Sequence, residues 1–158
     1  MAIPCDTRQL ENEKFVECPP NSGDVATRVK ICNPEDISVS VPEGKTLAAG
    51  ETISAVKAIY SNGVALFLGD ANTDYQHASI VGVSITGGNA ADEIRYLIDG
   101  PLYDSSFSFT DGEPVFLALN GGLTQTDPMT LGYKYRVLIG YATGTNGINI
   151  NIQEPIEL

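Results

Sequence analysis

The chain reads as an all-β protein: a compact antiparallel β-barrel or sandwich behind an extended N-terminal arm. Three observations predict this. Short apolar runs alternate with polar residues at a period of two, as in Ile148-Asn-Ile-Asn-Ile, which buries one face of a strand and wets the other. Among the 158 residues, 16 Gly and 9 Pro favour many turns over long helices. The third observation is an approximate internal repeat. Residues 64–98 hold Val64-Ala-Leu-Phe-Leu, Ser79-Ile-Val-Gly-Val-Ser-Ile and Glu93-Ile-Arg-Tyr-Leu-Ile. Residues 114–152 hold Pro114-Val-Phe-Leu-Ala-Leu, Tyr135-Arg-Val-Leu-Ile-Gly-Tyr-Ala and Gly147-Ile-Asn-Ile-Asn-Ile. Each half sets a central strand with an internal Gly between two other strands.

Residues 1–34 form the arm with a first strand, and residues 35–158 the β-domain. Asp6 caps a short helix over Thr7–Lys14, with Gln9 in the capping-box position. That length is marginal in isolation, so the helix needs a partner surface. Phe15-Val-Glu-Cys is extended and stops at Pro19-Pro20. Val25 to Cys32 reads as a strand with Val25, Thr27, Val29 and Ile31 on one face, and Arg28 and Lys30 on the wet one. Ile37-Ser-Val-Ser-Val lies between Pro34 and Pro42, which limits it to an edge or a connection.

Ile53–Tyr60 reads as a strand, against a competing helix over Ser54–Tyr60 that Ala and Lys would favour. Asn62-Gly63 decides for the strand, because both residues tolerate the positive φ of a type I′ turn. Ile53–Tyr60 is therefore expected to pair antiparallel with Val64–Leu68. A polar loop then leads to Ser79. Gly82 and Gly140, each inside a central strand, mark a bulge, a bend or a close backbone crossing. Their matched positions point to equivalent bends, although other landmarks of the halves are unevenly offset. Asp99-Gly-Pro-Leu-Tyr links the halves. Phe107-Ser-Phe and Asp111-Gly approach Pro114 as a hairpin would. Apolar Ile156 and Leu158 are expected to dock the C-terminus.

Charge narrows the function classes. The net charge is −11 with only 9 Lys and Arg, which sets aside nucleic-acid and anionic-membrane binding. Met1 to Asp6 lack the basic and apolar regions of a secretory leader, and no apolar run reaches the length of a membrane span. Synthesis in a cytosol is the expectation. Cys5, Cys18 and Cys32 read as buried or free thiols, with a three-Cys metal site across subunits as the alternative.

No nucleophile elbow, zinc-protease motif or phosphate loop occurs. His77 reads as a solvated loop residue. Asp70, Asn72 and Asp74 match the first half of a calcium loop, but Tyr75 replaces its Gly and Val81 its bidentate Glu. A strand-joining surface loop explains them equally well. No cofactor is expected. A hydrolase using carboxylates distant in sequence stays open as a reading.

The chain resembles small structural proteins of tailed-phage virions: capsid decoration proteins, head fibres and the β-modules of tail fibres. The residues carrying this are Leu10-Glu-Asn-Glu-Lys-Phe-Val-Glu and Val25-Ala-Thr-Arg-Val-Lys-Ile in the arm. In the domain they are Ser79-Ile-Val-Gly-Val-Ser, Asp99-Gly-Pro-Leu, Pro114-Val-Phe-Leu-Ala-Leu-Asn-Gly-Gly-Leu-Thr, Pro128, Ile139-Gly-Tyr-Ala and Ile150-Asn-Ile-Gln-Glu-Pro-Ile. The resemblance implies a non-enzymatic virion component, a homo-oligomer such as a trimer. It would attach to the major capsid or tail protein through Leu10, Phe15, Val16, Val25, Arg28 and Val29. A host-glycan-binding fibre module is the alternative it implies.

Overall fold

The computed structural model describes residues 44–158. The helix expected at Thr7–Lys14, the strands expected at Val25–Cys32 and Ile37–Val41, the three cysteines and the six attachment residues lie outside the described residues.

The described chain is all-β and antiparallel, and it builds one five-stranded sheet twice. The first sheet holds β1 (Lys45–Ala48), β2 (Ala58–Ser61), β3 (Leu66–Leu68), β4 (Ile80–Ser84) and β5 (Glu93–Leu97), in the order β1-β5-β4-β2-β3. The second holds β6 (Asp99–Tyr103), β7 (Pro114–Leu117), β8 (Leu123–Thr124), β10 (Leu138–Ala142) and β11 (Gly147–Asn151), in the order β6-β11-β10-β7-β8. Replacing each first-sheet strand by its counterpart turns one order into the other. A one-turn helix sits at the same point of each half, α1 (Tyr75–Ala78) and α2 (Pro128–Leu131). The second half adds β9 (Tyr135–Arg136), which pairs with the C-terminal β12 (Ile156–Glu157).

Register carries the equivalence to single residues. In the first sheet Ile59 opposes Gly82 and Tyr60 opposes Ile80, with a register shift between them. In the second, Val115 opposes Gly140 and Phe116 opposes Leu138, with the same shift. Val81 and Ile139 are thus the extra residues of matching bulges. On the other flank the next strand comes close to both glycines. A Cβ on Gly82 would lie 2.5 Å from the Tyr96 ring and 2.6 Å from the Leu97 carbonyl oxygen. A Cβ on Gly140 would run into the Asn149 carbonyl.

The larger core is shared by the two sheets. Ala58, Tyr60, Ile80, Val83 and Leu97 from the first pack in one cluster with Leu102, Val115, Leu117, Ile139, Ile148 and Ile150 from the second. A smaller core lies on the opposite face of the first sheet: Ala49, Ile53, Ile59, Leu66, Ile94 and Tyr96. There the two edges of that sheet approach each other, since Ala49 bridges Leu66 and the Gly50 N–H donates to Leu66 O at 2.8 Å. In β11, Ile148 and Ile150 are buried while Asn149 and Asn151 are exposed, the strict alternation read from sequence.

Several local expectations are corrected. The strand over Ile53–Tyr60 shortens to Ala58–Ser61, because Val56 takes a left-handed φ of 63° and breaks the pleat. The Ser84 hydroxyl holds this break, accepting from Lys57 N at 2.9 Å and donating to Ser54 O at 2.8 Å. The hairpin forms, but its partner is Leu66–Leu68 and the turn is not type I′. Of Asn62 and Gly63 only Gly63 has positive φ, while Asn62 Oδ1 accepts from the N–H groups of Val64 and Ala65. Pro114–Leu117 corresponds to β2 rather than to Val64–Leu68, so the repeat spans 45–97 and 99–151 instead of 64–98 and 114–152. Asp99–Tyr103 is not a linker but the edge strand β6, where Pro101 costs no ladder donor within the sheet. Phe107 and Phe109 form no hairpin; their rings stack at 4.7 Å against the shared core.

Candidate functional site

Pleating and the bulge together create an apolar face on the outside of the second sheet. In β7, Val115 and Leu117 turn into the shared core and leave Pro114 and Phe116 on the other face. In β10, Leu138 opposes Phe116 and Tyr141 opposes Pro114, so both join that face. Leu138 and Tyr141 are three residues apart and would face opposite ways in a regular strand. The bulge brings them together. Asn149 and Pro101 extend the row across the sheet. Tyr103 opposes Gly147 two positions further along β6 and is 69% exposed.

The C-terminal segment borders this face. Gln153 N–H donates to Leu138 O at 2.9 Å, Ile156 opposes Arg136, and Leu158 N–H donates to Lys134 O at 2.9 Å. The expected docking of the terminus is therefore present. It is partial, because Ile156 stays 60% exposed. Between this segment and the sheet lies a groove of about 230 Å³ lined by Pro114, Phe116, Arg136, Leu138, Tyr141, Gln153, Glu154 and Ile156.

The polar groups of the groove are held in place. The Arg136 guanidinium lies over the Phe116 ring, 5.0 Å from its centroid, and 3.6 Å from Asp127 Oδ2. Both members of that ion pair are well exposed, so it adds little stability. Asp127 also caps α2, accepting from Met129 N at 2.9 Å, with Pro128 at the first helical position and a left-handed Gly132 closing the turn. Tyr75 reaches over from α1 and donates its hydroxyl to Glu154 Oε2 at 2.9 Å. This hydrogen bond, reinforced by the carboxylate's charge, raises the Tyr75 phenol above its ordinary pKa. The groove lining thus offers two aromatic rings, a guanidinium, an amide and one carboxylate.

The acidic loop residues find other tasks. Asp70 accepts from Asn72 N at 2.8 Å through Oδ1 and from Asn120 N at 3.2 Å through Oδ2. Asp74 caps α1, accepting from His77 N at 3.0 Å, and its Oδ1 lies 2.8 Å from His77 Nδ1. That side-chain hydrogen bond to His77 leads the effects holding Asp74 below the ordinary carboxylate pKa. His77 lies in α1 rather than in an open loop, with its ring 4.7 Å from that of Tyr60. Among the described residues no group of three or more His, Cys, Asp or Glu is arranged to hold a metal ion. No described helix is long and apolar enough to cross a membrane.

Sequence reasoning singled out none of the groove residues as a site. Arg136, Gln153, Glu154 and Ile156 meet only through the β9–β12 pairing, and a two-residue ladder leaves no periodic signal. No protein-family model matches the chain, and no curated protein matches it in sequence.

Proposed function

We propose that the protein is a non-enzymatic structural component of a tailed-phage virion. It attaches to a capsid or tail protein through residues 1–34 and displays the β-domain on the particle. The motif resemblance in the arm and the domain supports the virion context. The observation that carries the assembly reading is the apolar outer face of the second sheet, where Tyr103 and Tyr141 are 69% and 47% exposed. Two tyrosines exposed on the same sheet face, beside the groove, support a contact role for that face. The acidic surface, at net charge −11, keeps such a protein soluble before assembly.

A tagged full-length chain, expressed during infection by the phage that encodes it, should band with virions in a density gradient. A tag recovered wholly in the soluble fraction overturns the reading.

One observation favours a second reading, a host-glycan-binding module. The groove sets the Tyr141 ring beside Arg136, Gln153 and Glu154, a stacking surface with donors and acceptors around it. A glycan array without binding removes it.

A further inference from the structure

We infer that Asn62 is a site of spontaneous covalent modification, where the β2–β3 turn itself assembles the groups that convert the side-chain amide into a carboxylate. This is independent of the virion reading above.

The sequence holds Asn-Gly three times, at Asn62-Gly63, Asn120-Gly121 and Asn146-Gly147. A glycine after asparagine leaves its main-chain nitrogen unhindered, so that nitrogen can close on the side-chain carbonyl carbon. The structure separates the three. Gly121 is buried, and its N–H donates to Gly69 O. Gly147 is buried at the start of β11, where a Cβ would run into Thr143 O and the Tyr103 ring. Both of these nitrogens are fixed within packed backbone. Asn62 and Gly63 are exposed at the hairpin tip, and a Cβ on Gly63 would meet nothing within 4 Å.

Three hydrogen bonds prepare the reaction. Asn62 Oδ1 accepts from Val64 N–H and Ala65 N–H, each at 2.9 Å. Attack at Cγ turns this oxygen into an oxyanion, and two main-chain donors at that distance are the arrangement that stabilises one. The attacking nitrogen is engaged as well: Gly63 N–H donates to Ser61 Oγ at 3.0 Å. That hydroxyl accepts the proton as the new bond forms, while its own passes to water. The turn is open to solvent, so these groups contribute less than in a dry active site, and the reaction is slow.

In the first step the bond from Gly63 N to Asn62 Cγ forms and the Cγ–Nδ2 bond breaks. The amide nitrogen leaves as ammonia, with one proton to balance the one Gly63 N gives up. One water then opens the succinimide at either carbonyl, giving aspartate or isoaspartate. Either product places a carboxylate at the hairpin tip. Isoaspartate also adds a main-chain carbon to a turn whose strands pair Ser61 with Leu66.

Timed incubation of the full chain near neutral pH, followed by peptide mapping with mass spectrometry, tests this. In the folded chain Asn62 should be converted about tenfold faster, or more, than Asn120 and Asn146. In guanidinium chloride, which removes both the turn and the packing, the three rates should converge. Ser61→Ala should slow conversion at Asn62 alone by about threefold or more, and Ser61→Thr, which keeps the hydroxyl, should restore it. The Asn120 and Asn146 rates in the same sample show whether a variant keeps its fold. Asn62 left intact in the folded chain while the unfolded chain is converted overturns the inference. So does equal conversion of all three sites in the folded chain, or an unchanged Asn62 rate in folded Ser61→Ala.

Discussion

Gly82 and Gly140 show how much one missing side chain can decide. Glycine inside a strand weakens it unless a neighbour needs the room. Here the neighbour is the next strand, and the two sites differ in what would have to move. At Gly82 the nearest obstacle is a side chain, the buried Tyr96 ring, with the Leu97 carbonyl close behind it. At Gly140 the obstacle is the Asn149 backbone itself. Both Gly→Ala substitutions should destabilise the domain by about 1–3 kcal/mol, with Gly140→Ala the more costly. Urea denaturation measures this, and unchanged midpoints would mean that the strands do not approach as described. Both glycines were legible in the sequence as special positions. The site residue Tyr141 was not, because strict alternation puts it on the opposite face from Leu138. Only the bulge, a property of two strands paired, puts them on one face.

Among the described residues, the strictly alternating β11 was read correctly, and the strand broken by a single backbone angle was not. The β11 alternation is a direct record of burial. The strand predicted across Ile53–Tyr60 has the right composition, yet Val56 lies in a left-handed conformation that a β-branched residue rarely adopts. Tertiary hydrogen bonds from Ser84 override the local preference, and no pattern within the segment announces them. The break has a structural use: it releases residues 49–57 to fold over the first sheet, where Ile53 pairs with Gly88 and is 1% exposed. Ile53 thus acts as the plug of the smaller core. Ile53→Ala should cost about 2–5 kcal/mol in chemical denaturation, the range for truncating a buried aliphatic side chain. A loss below about 1 kcal/mol would show that this connection is not part of the core. The repeat was seen one strand out of step, because β8 has two residues and carries too little pattern to be counted.

At the scale of the molecule, duplication explains the stability. A sheet of short strands buries little on its own; packing the same sheet on itself creates the shared core. The pairing buries one face of the first sheet, while on its counterpart in the second sheet Phe116 is 3% exposed and Tyr141 is 47% exposed. The account's central claim is that residues 1–34 attach the protein to a virion while the β-domain is displayed. Co-sedimentation with virions depleted of this protein tests it most directly, comparing the full chain with one lacking residues 1–34. Circular dichroism would establish that the shortened chain keeps its β-domain. The account predicts that the full chain pellets with particles and the shortened chain stays in the supernatant. Equal recovery of both in the pellet would contradict it.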